Sequence, residues 1–201
     1  MAVFLTMLAA YVLGSIPTSY LVGRLAGGVD LRQHGSRNLG ATNVFRVLGW
    51  MYAVPVLLFD AGKGLVAAVF LAPLAGSQPW MPLVIGSAAI VGHVYTVFLG
   101  FHGGKGVATA AGVLLGVAPV AVGICAALWL VLVLASGYVS LGSIASAIAF
   151  PVVTRLVQPG ALYTFVAGVA VAGLILYTHR ANIRRLLNGT EARFGHRRQE
   201  G

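Results

Sequence analysis

Val120-Ala-Val-Gly-Ile-Cys-Ala-Ala-Leu-Trp-Leu-Val-Leu-Val-Leu-Ala-Ser136 runs for seventeen residues without a single charge. A segment of this kind belongs in hydrocarbon, where the backbone must satisfy its own hydrogen bonds and roughly 20 apolar residues cross the core as a helix. Comparable runs recur on both sides of it, and their spacing predicts spans near 2–23, 56–73, 80–99, 120–136, 141–157 and 162–178. Composition agrees: 59% of the 201 residues are hydrophobic, 8% are charged and 27 are glycine. The chain is therefore expected to be an all-α, polytopic membrane protein forming one integral domain over 1–201. The stretch between Gly106 and Ser140 has room for two short helices broken at Gly116 and Pro119, which brings the expected count to about seven.

The first run resembles a signal peptide in length, but Gly14, Pro17 and Arg24 suit a cleavage site poorly and similar runs follow, so it reads as a retained span. Cytoplasmic connections retain positive charge. Arg24, Arg32, Arg37 and Arg46 fall in one connection, Lys105 in another, and more arginines follow Thr178. The connections at 74–79 and near 119 carry no cation. Seven passes then place the N-terminus outside, the C-terminus inside and the polar motifs on the cytoplasmic face, with Arg155 the exception, a side chain that snorkels from a helix end. The net charge of +9 thus marks topology and not nucleic-acid binding. Cys125 is the one cysteine and reads as plain core, so no intrachain disulfide is possible.

Polar residues are confined to islands between these runs. Asp30 to Arg46 contains Ser36, Asn38, Thr42 and Asn43 as side-chain donors, Arg46 as a bidentate grip for phosphate, and Gly35 and Gly40 bracketing them. The segment from Thr42 to Val54 reads as a short interfacial helix whose N-terminus faces those donors. Asp60 and Lys63 form an i,i+3 pair in the second span: either an internal ion pair, or a lysine reaching the same phosphate pocket. Phe98-Leu-Gly-Phe-His-Gly-Gly-Lys-Gly-Val107 places a glycine loop and one lysine at the bilayer edge, where backbone N–H groups and a helix starting at Val107 suit an anion. It lacks the spacing of a nucleotide P-loop. His93, inside the preceding span, reads as a hydrogen-bonded structural histidine. Tyr177 to Glu191, if helical, puts His179, Asn182 and Ile183 on one side and Arg184 and Arg185 toward lipid phosphates, with a stop at Asn188-Gly189. The chain has four acids, Glu200 among them in the tail, and no clustered cysteine or histidine ligand set, so neither a metal site nor a cofactor is expected.

Together, Gly-Ser-Ile-Pro17, Asp30-x-Arg32, Gly35-Ser-x-Asn-x-Gly-Ala-Thr-Asn43 with Arg46, Asp60-x-x-Lys-Gly64, Gly92-His93, Phe101-x-Gly-Gly-Lys-Gly106, Gly137-Tyr-x-Ser140 and His179-x-x-Asn-Ile-x-Arg-Leu186 resemble the PlsY-type acyl-phosphate:glycerol-3-phosphate acyltransferases of bacteria. The match covers nearly the whole chain in order. The resemblance implies seven helices in the bacterial cytoplasmic membrane and transfer of a fatty acyl group from acyl phosphate to the sn-1 hydroxyl of glycerol 3-phosphate. The products are lysophosphatidic acid and phosphate. It also implies a donor drawn from a soluble acyl-phosphate synthase. By the same resemblance Ser36 and Arg46 are essential, Gly103, Gly104 and Lys105 bind glycerol 3-phosphate, His179 and Asn182 act in the site, and Glu191 maintains structure. Gly106 and Ser140 join the expected binding set. Arg37 stands where glycine is common and His102 where lysine is common.

Three routes for the proton fit these residues: assistance by the donor's own phosphate, His179 as base, or an acyl-Ser36 intermediate. The first is favoured, because an acyl phosphate is already activated and no acid neighbours either histidine in sequence. A small transporter for a phosphorylated solute is the alternative class, suggested by Asp60, Lys63 and broken helices.

Overall fold

The computed structural model describes residues 1–194, and all regular structure among them is helical. Glu200 and the last arginines, Arg197 and Arg198, lie outside the described residues. Two compact units divide the chain, Met1–Pro119 and Val120–Gly201.

In the first unit α1 (Ala2–Ser15) and α2 (Thr18–Gly27) are separated at Ile16–Pro17, since proline removes a backbone donor and holds its predecessor extended. The chain then loops to α3 (Ala41–Leu48) and α4 (Trp50–Val66). α4 widens into a π-helical turn over Ala67–Leu71 and finishes as α5 (Ala72–Ala75). α6 (Met81–Val94) leads through a 3₁₀ turn at Val97–Leu99 to the glycine loop and α7 (Val107–Leu115). Close helix approach in a membrane depends on small residues. Here Gly14 lies against the Ala89 carbonyl and Gly92 against the Tyr11 carbonyl, locking α1 to α6. Gly64 against Thr109 and Gly112 against Ala61 lock α4 to α7 in the same way. A Cβ at any of the four would collide with backbone.

The second unit holds α8 (Pro119–Ser136), α9 (Val139–Val157), α10 (Leu162–Thr178) and α11 (Arg180–Leu187). Trp129 Nε1 donates to Ser143 Oγ at 3.2 Å and Ser146 Oγ to the Cys125 carbonyl at 2.9 Å, pinning α8 to α9. Arg155 turns back to the Pro159 carbonyl and lies over the Phe165 ring.

Five segments among the described residues are long and apolar enough to cross a membrane: Ala2–Gly27, Trp50–Ala75, Met81–Leu99, Pro119–Ser136 and Val139–Val157. Counting Leu162–Thr178 with Arg180–Leu187, bent by 64°, as one span makes six. The two short helices expected after Gly106 are unequal: α7 has nine residues and α8 eighteen. α7 is about 14 Å long, under half of the hydrocarbon thickness. The expected helix over Thr42 to Val54 is two helices. Gly49, at φ 90°, ends α3 and caps α4, so the second span begins at Trp50 and not at 56.

Candidate functional site

The first polar island is built around two residues whose side chains point inward. Asp30 is buried and accepts from Arg24 at 3.0 Å and from Arg32 through Nε at 3.0 Å and Nη2 at 2.7 Å. Both guanidinium groups also lie over the Tyr20 ring. The Arg32 hydrogen bond holds the Asp30 carboxyl well below the usual carboxylate range, against the opposing effect of desolvation. Two of the four cations near this loop are therefore committed to its own acid.

Asn43 is the second. It is fully buried; its Oδ1 accepts the Ser36 N–H at 2.8 Å, and its Nδ2 donates to the Leu31 and His34 carbonyls at 3.1 Å each. Gly35 packs against the same Oδ1 and has no room for a Cβ. The expectation that Asn43 offers its amide to phosphate is corrected here: the amide is consumed in folding the turn that presents Ser36. Ser36 is exposed at that turn, with Asn38, Thr42 and Arg46 partly buried nearby along the chain. Arg37 beside it has φ 59°, the left-handed region.

The glycine loop also differs from expectation. Gly103 N–H donates to the Val94 carbonyl at 2.9 Å and Gly104 N–H to the His93 carbonyl at 3.0 Å. These two amides serve the end of α6 and do not converge on an open anion cradle. A Cβ on Gly104 would collide with His93 Nε2 and the Leu39 carbonyl. The glycine loop and the Ser36 loop therefore meet at Gly104 and Leu39, and Leu99 packs on the core of Leu31, Leu39, Val44, Ala53 and Val56. Lys105 follows, partly buried, and Gly106, at φ 84°, caps α7. Ser36, Arg46 and Lys105 lie on or next to these loops, together with the first amides of α3 and α7, which a helix N-terminus leaves without intrahelical partners.

Beneath the loops lies a buried polar cluster. Asp60 Oδ1 sits 2.8 Å from Lys63 Nζ, accepts from Thr18 Oγ1 at 3.1 Å and lies 3.6 Å from His93 Nδ1. Lys63 Nζ also donates to the Ile16 carbonyl, exposed by the break before Pro17, at 3.2 Å. The first of the two readings of the i,i+3 pair is thus the observed one: Lys63, 3% exposed, is an internal counter-ion and not a phosphate ligand. Ser15, Thr18, Asp60, His93, Thr96 and Gly104 border a small cavity beside this cluster.

The second unit gathers its own cluster. Glu191 Oε1 accepts from Ser140 Oγ at 2.7 Å and from Asn182 Nδ2 at 2.6 Å, and its Oε2 accepts from Arg185 Nε at 2.6 Å. Burial alone would raise the Glu191 pKa, but these three donors and the Arg185 charge bring it below the ordinary value. Ser140, expected in the binding set, is here a donor to Glu191. Arg185, expected to face lipid phosphate, is paired with the same acid. Asn188 and Gly189 do stop the helix, with Gly189 at φ 68°. His179, at the bend between α10 and α11, is buried and its Nδ1 lies 2.9 Å from the Ile175 carbonyl. A carbonyl only accepts, so Nδ1 carries a proton and, in the neutral ring, Nε2 is the acceptor. No group of three or more metal-ligating side chains occurs among the described residues.

A multi-pass membrane protein with hydroxyl, amide and basic side chains concentrated in a few loops is equipped to handle a phosphorylated substrate at a bilayer surface. The glycerol-3-phosphate acyltransferase family model matches residues 4–189. Among curated relatives, the glycerol-3-phosphate acyltransferases of Geobacter sulfurreducens and Chlorobaculum tepidum are 49% and 45% identical. Those alignments cover 92% and 96% of this chain and 94% and 97% of the relatives. The crystal structure of PlsY, an integral membrane glycerol 3-phosphate acyltransferase, in its glycerol 3-phosphate form is 40% identical, with a TM-score of 0.90 over 97% of this chain and 96% of that one. Its lysophosphatidic acid form gives 0.87 at 39% identity over the same shares. The chain belongs to the glycerol-3-phosphate acyltransferase family and is an integral membrane acyltransferase. The transporter alternative is set aside.

Proposed function

We propose that this acyltransferase moves a fatty acyl group from acyl phosphate to the sn-1 hydroxyl of glycerol 3-phosphate. The hydroxyl oxygen attacks the acyl carbonyl carbon, the bond from that carbon to the phosphate oxygen breaks, and phosphate leaves with the hydroxyl proton. Lysophosphatidic acid and inorganic phosphate are the products. Because the donor is already activated, holding two anionic substrates at reacting distance supplies much of the rate. Arg46 and Lys105 neutralise the substrate phosphates and Ser36 stabilises the oxyanion. The chain works as one membrane domain of the bacterial cytoplasmic membrane with its site toward the cytoplasm, taking its donor from a soluble acyl-phosphate synthase.

The observation that carries this reading is the meeting of the Ser36 loop and the Lys105 loop at Leu39 and Gly104. Two motifs separated by some sixty residues in sequence are thereby joined in one unit, beside the basic groups an anionic substrate requires. The test is release of phosphate and formation of lysophosphatidic acid by the purified protein given glycerol 3-phosphate and palmitoyl phosphate, with palmitoyl-CoA as parallel donor. Product from the acyl phosphate alone is expected. Product from the CoA ester would overturn the donor assignment.

A further inference from the structure

We propose that His93 is a positioning residue for the Gly103–Lys105 loop, anchored by the buried Asp60–Lys63 pair. The proposal rests on the reading that Lys105 binds the glycerol 3-phosphate phosphate. An ion pair inside a membrane span is expensive, and well-packed apolar residues of similar volume serve stability as well or better. Asp60 and Lys63 are 2% and 3% exposed, so stability is a weak reason for their presence. Their geometry supplies another. The Asp60 carboxylate is a common anchor for Lys63, Thr18 and the Nδ1 edge of His93. The adjoining Nε2–Cε1 edge of the His93 ring lies against Gly104, and the backbone carbonyls of His93 and Val94 hold the Gly104 and Gly103 amides.

The imidazole thus touches a carboxylate through one nitrogen and the residue preceding Lys105 through the other. Rotation of the ring, or a tilt of the last turn of α6, shifts Gly104 and carries Lys105 with it. Gly104 also bears on the Leu39 carbonyl, so the same displacement disturbs the Ser36 loop. Misplacement of a binding group by about 1 Å is enough to lose a large part of its effect. His93 acts here through Lys105 and touches no substrate.

The test is steady-state kinetics of the full chain with glycerol 3-phosphate varied, alongside thermal unfolding. His93→Asn keeps an amide donor beside Asp60 but removes the ring from Gly104. It is expected to raise the KM for glycerol 3-phosphate about tenfold with kcat changed less than about threefold. Asp60→Leu/Lys63→Met removes both charges without orphaning either, so folding is preserved while the ring loses its anchor, and a similar KM increase is expected. A merely structural role would lower the active fraction, and so the apparent kcat, leaving KM unmoved. Wild-type KM in either folded variant overturns the proposal. Lys105→Met separates the two readings. If it raises KM while the His93 and Asp60/Lys63 variants do not, the positioning role alone fails. If Lys105→Met leaves KM unchanged, the assignment of Lys105 fails and the proposal with it.

Discussion

Asp60 in the first unit and Glu191 in the second are both carboxylates with shielded side chains near residues expected to act on substrate, and the two are neutralised differently. Asp60 lies within a membrane span and balances a full opposite charge at 2.8 Å, with a neutral hydroxyl as further support. Glu191 follows the last helix and draws on two neutral donors, Ser140 and Asn182, plus an arginine that is 44% exposed. Hydrocarbon supplies no water to a charge whose partner is lost, so the first arrangement is all or nothing. The second lies at a helix end where a removed partner can be replaced by solvent. The same residue chemistry therefore yields a rigid element in one unit and a tolerant one in the other.

The largest expected effect breaks the first arrangement. Asp60→Ala strands the Lys63 ammonium in the span and should cost about 3–5 kcal/mol. Thermal unfolding in detergent measures it, and a loss no larger than that of a surface variant would mean that water reaches Lys63. Asn43→Ala comes next. It removes three hydrogen bonds and should cost about 2–3 kcal/mol, with turnover falling further than stability because Ser36 loses its backbone anchor. Melting and kcat measured on the same preparation separate the two effects; wild-type kcat would show that the Ser36 turn holds its shape without the amide.

Glu191→Gln tests the tolerant arrangement and should cost about 1 kcal/mol at neutral pH. It also carries a sign in pH. The native carboxyl binds protons less readily than the unfolded one, so its stabilisation is complete above the ordinary value of 4.5 and is lost as pH falls through the lowered native value. The variant should lose that share of the acid limb, leaving the share due to Asp30, whose carboxyl is lowered in the same direction. An unchanged melting profile below pH 4.5 would remove Glu191 from the linkage. The smallest effect is stabilising: Arg37→Gly relieves a side chain at φ 59° and should add about 0.5–1 kcal/mol. A lower melting temperature would mean that the guanidinium contributes more than the strain costs.

Much of this architecture is legible in the chain, for reasons that differ by residue. The spans are plain because an uncharged run such as Val120 to Ser136 has few other places to go, and the i,i+3 spacing of Asp60 and Lys63 is enough to suggest a pair. The break at Gly49 is hidden because glycine is common inside membrane helices and the sequence stays apolar across it. The engagement of the Gly103 and Gly104 amides by the end of α6 is invisible in a glycine count, since a loop that cradles a ligand and one that packs on its own helix need the same residues. Asn43 presents the same difficulty. Its partners stand seven, nine and twelve residues away around a non-repeating turn, a geometry no periodicity reports. The join between Ser140 and Glu191 spans fifty-one residues and rests on tertiary packing alone.

The π-helical turn at Ala67–Leu71 has a consequence for how this family can change length. A π turn takes in one more residue than an α turn, so deletion of a single residue there would return the span to regular helix with both flanks still in register. Asp60 and Lys63 precede the turn, Ala72 to Ala75 follow it, and both segments would keep the faces they present. The second span thus carries a site where an insertion or deletion can be absorbed at one end of the membrane without disturbing the charges at the other.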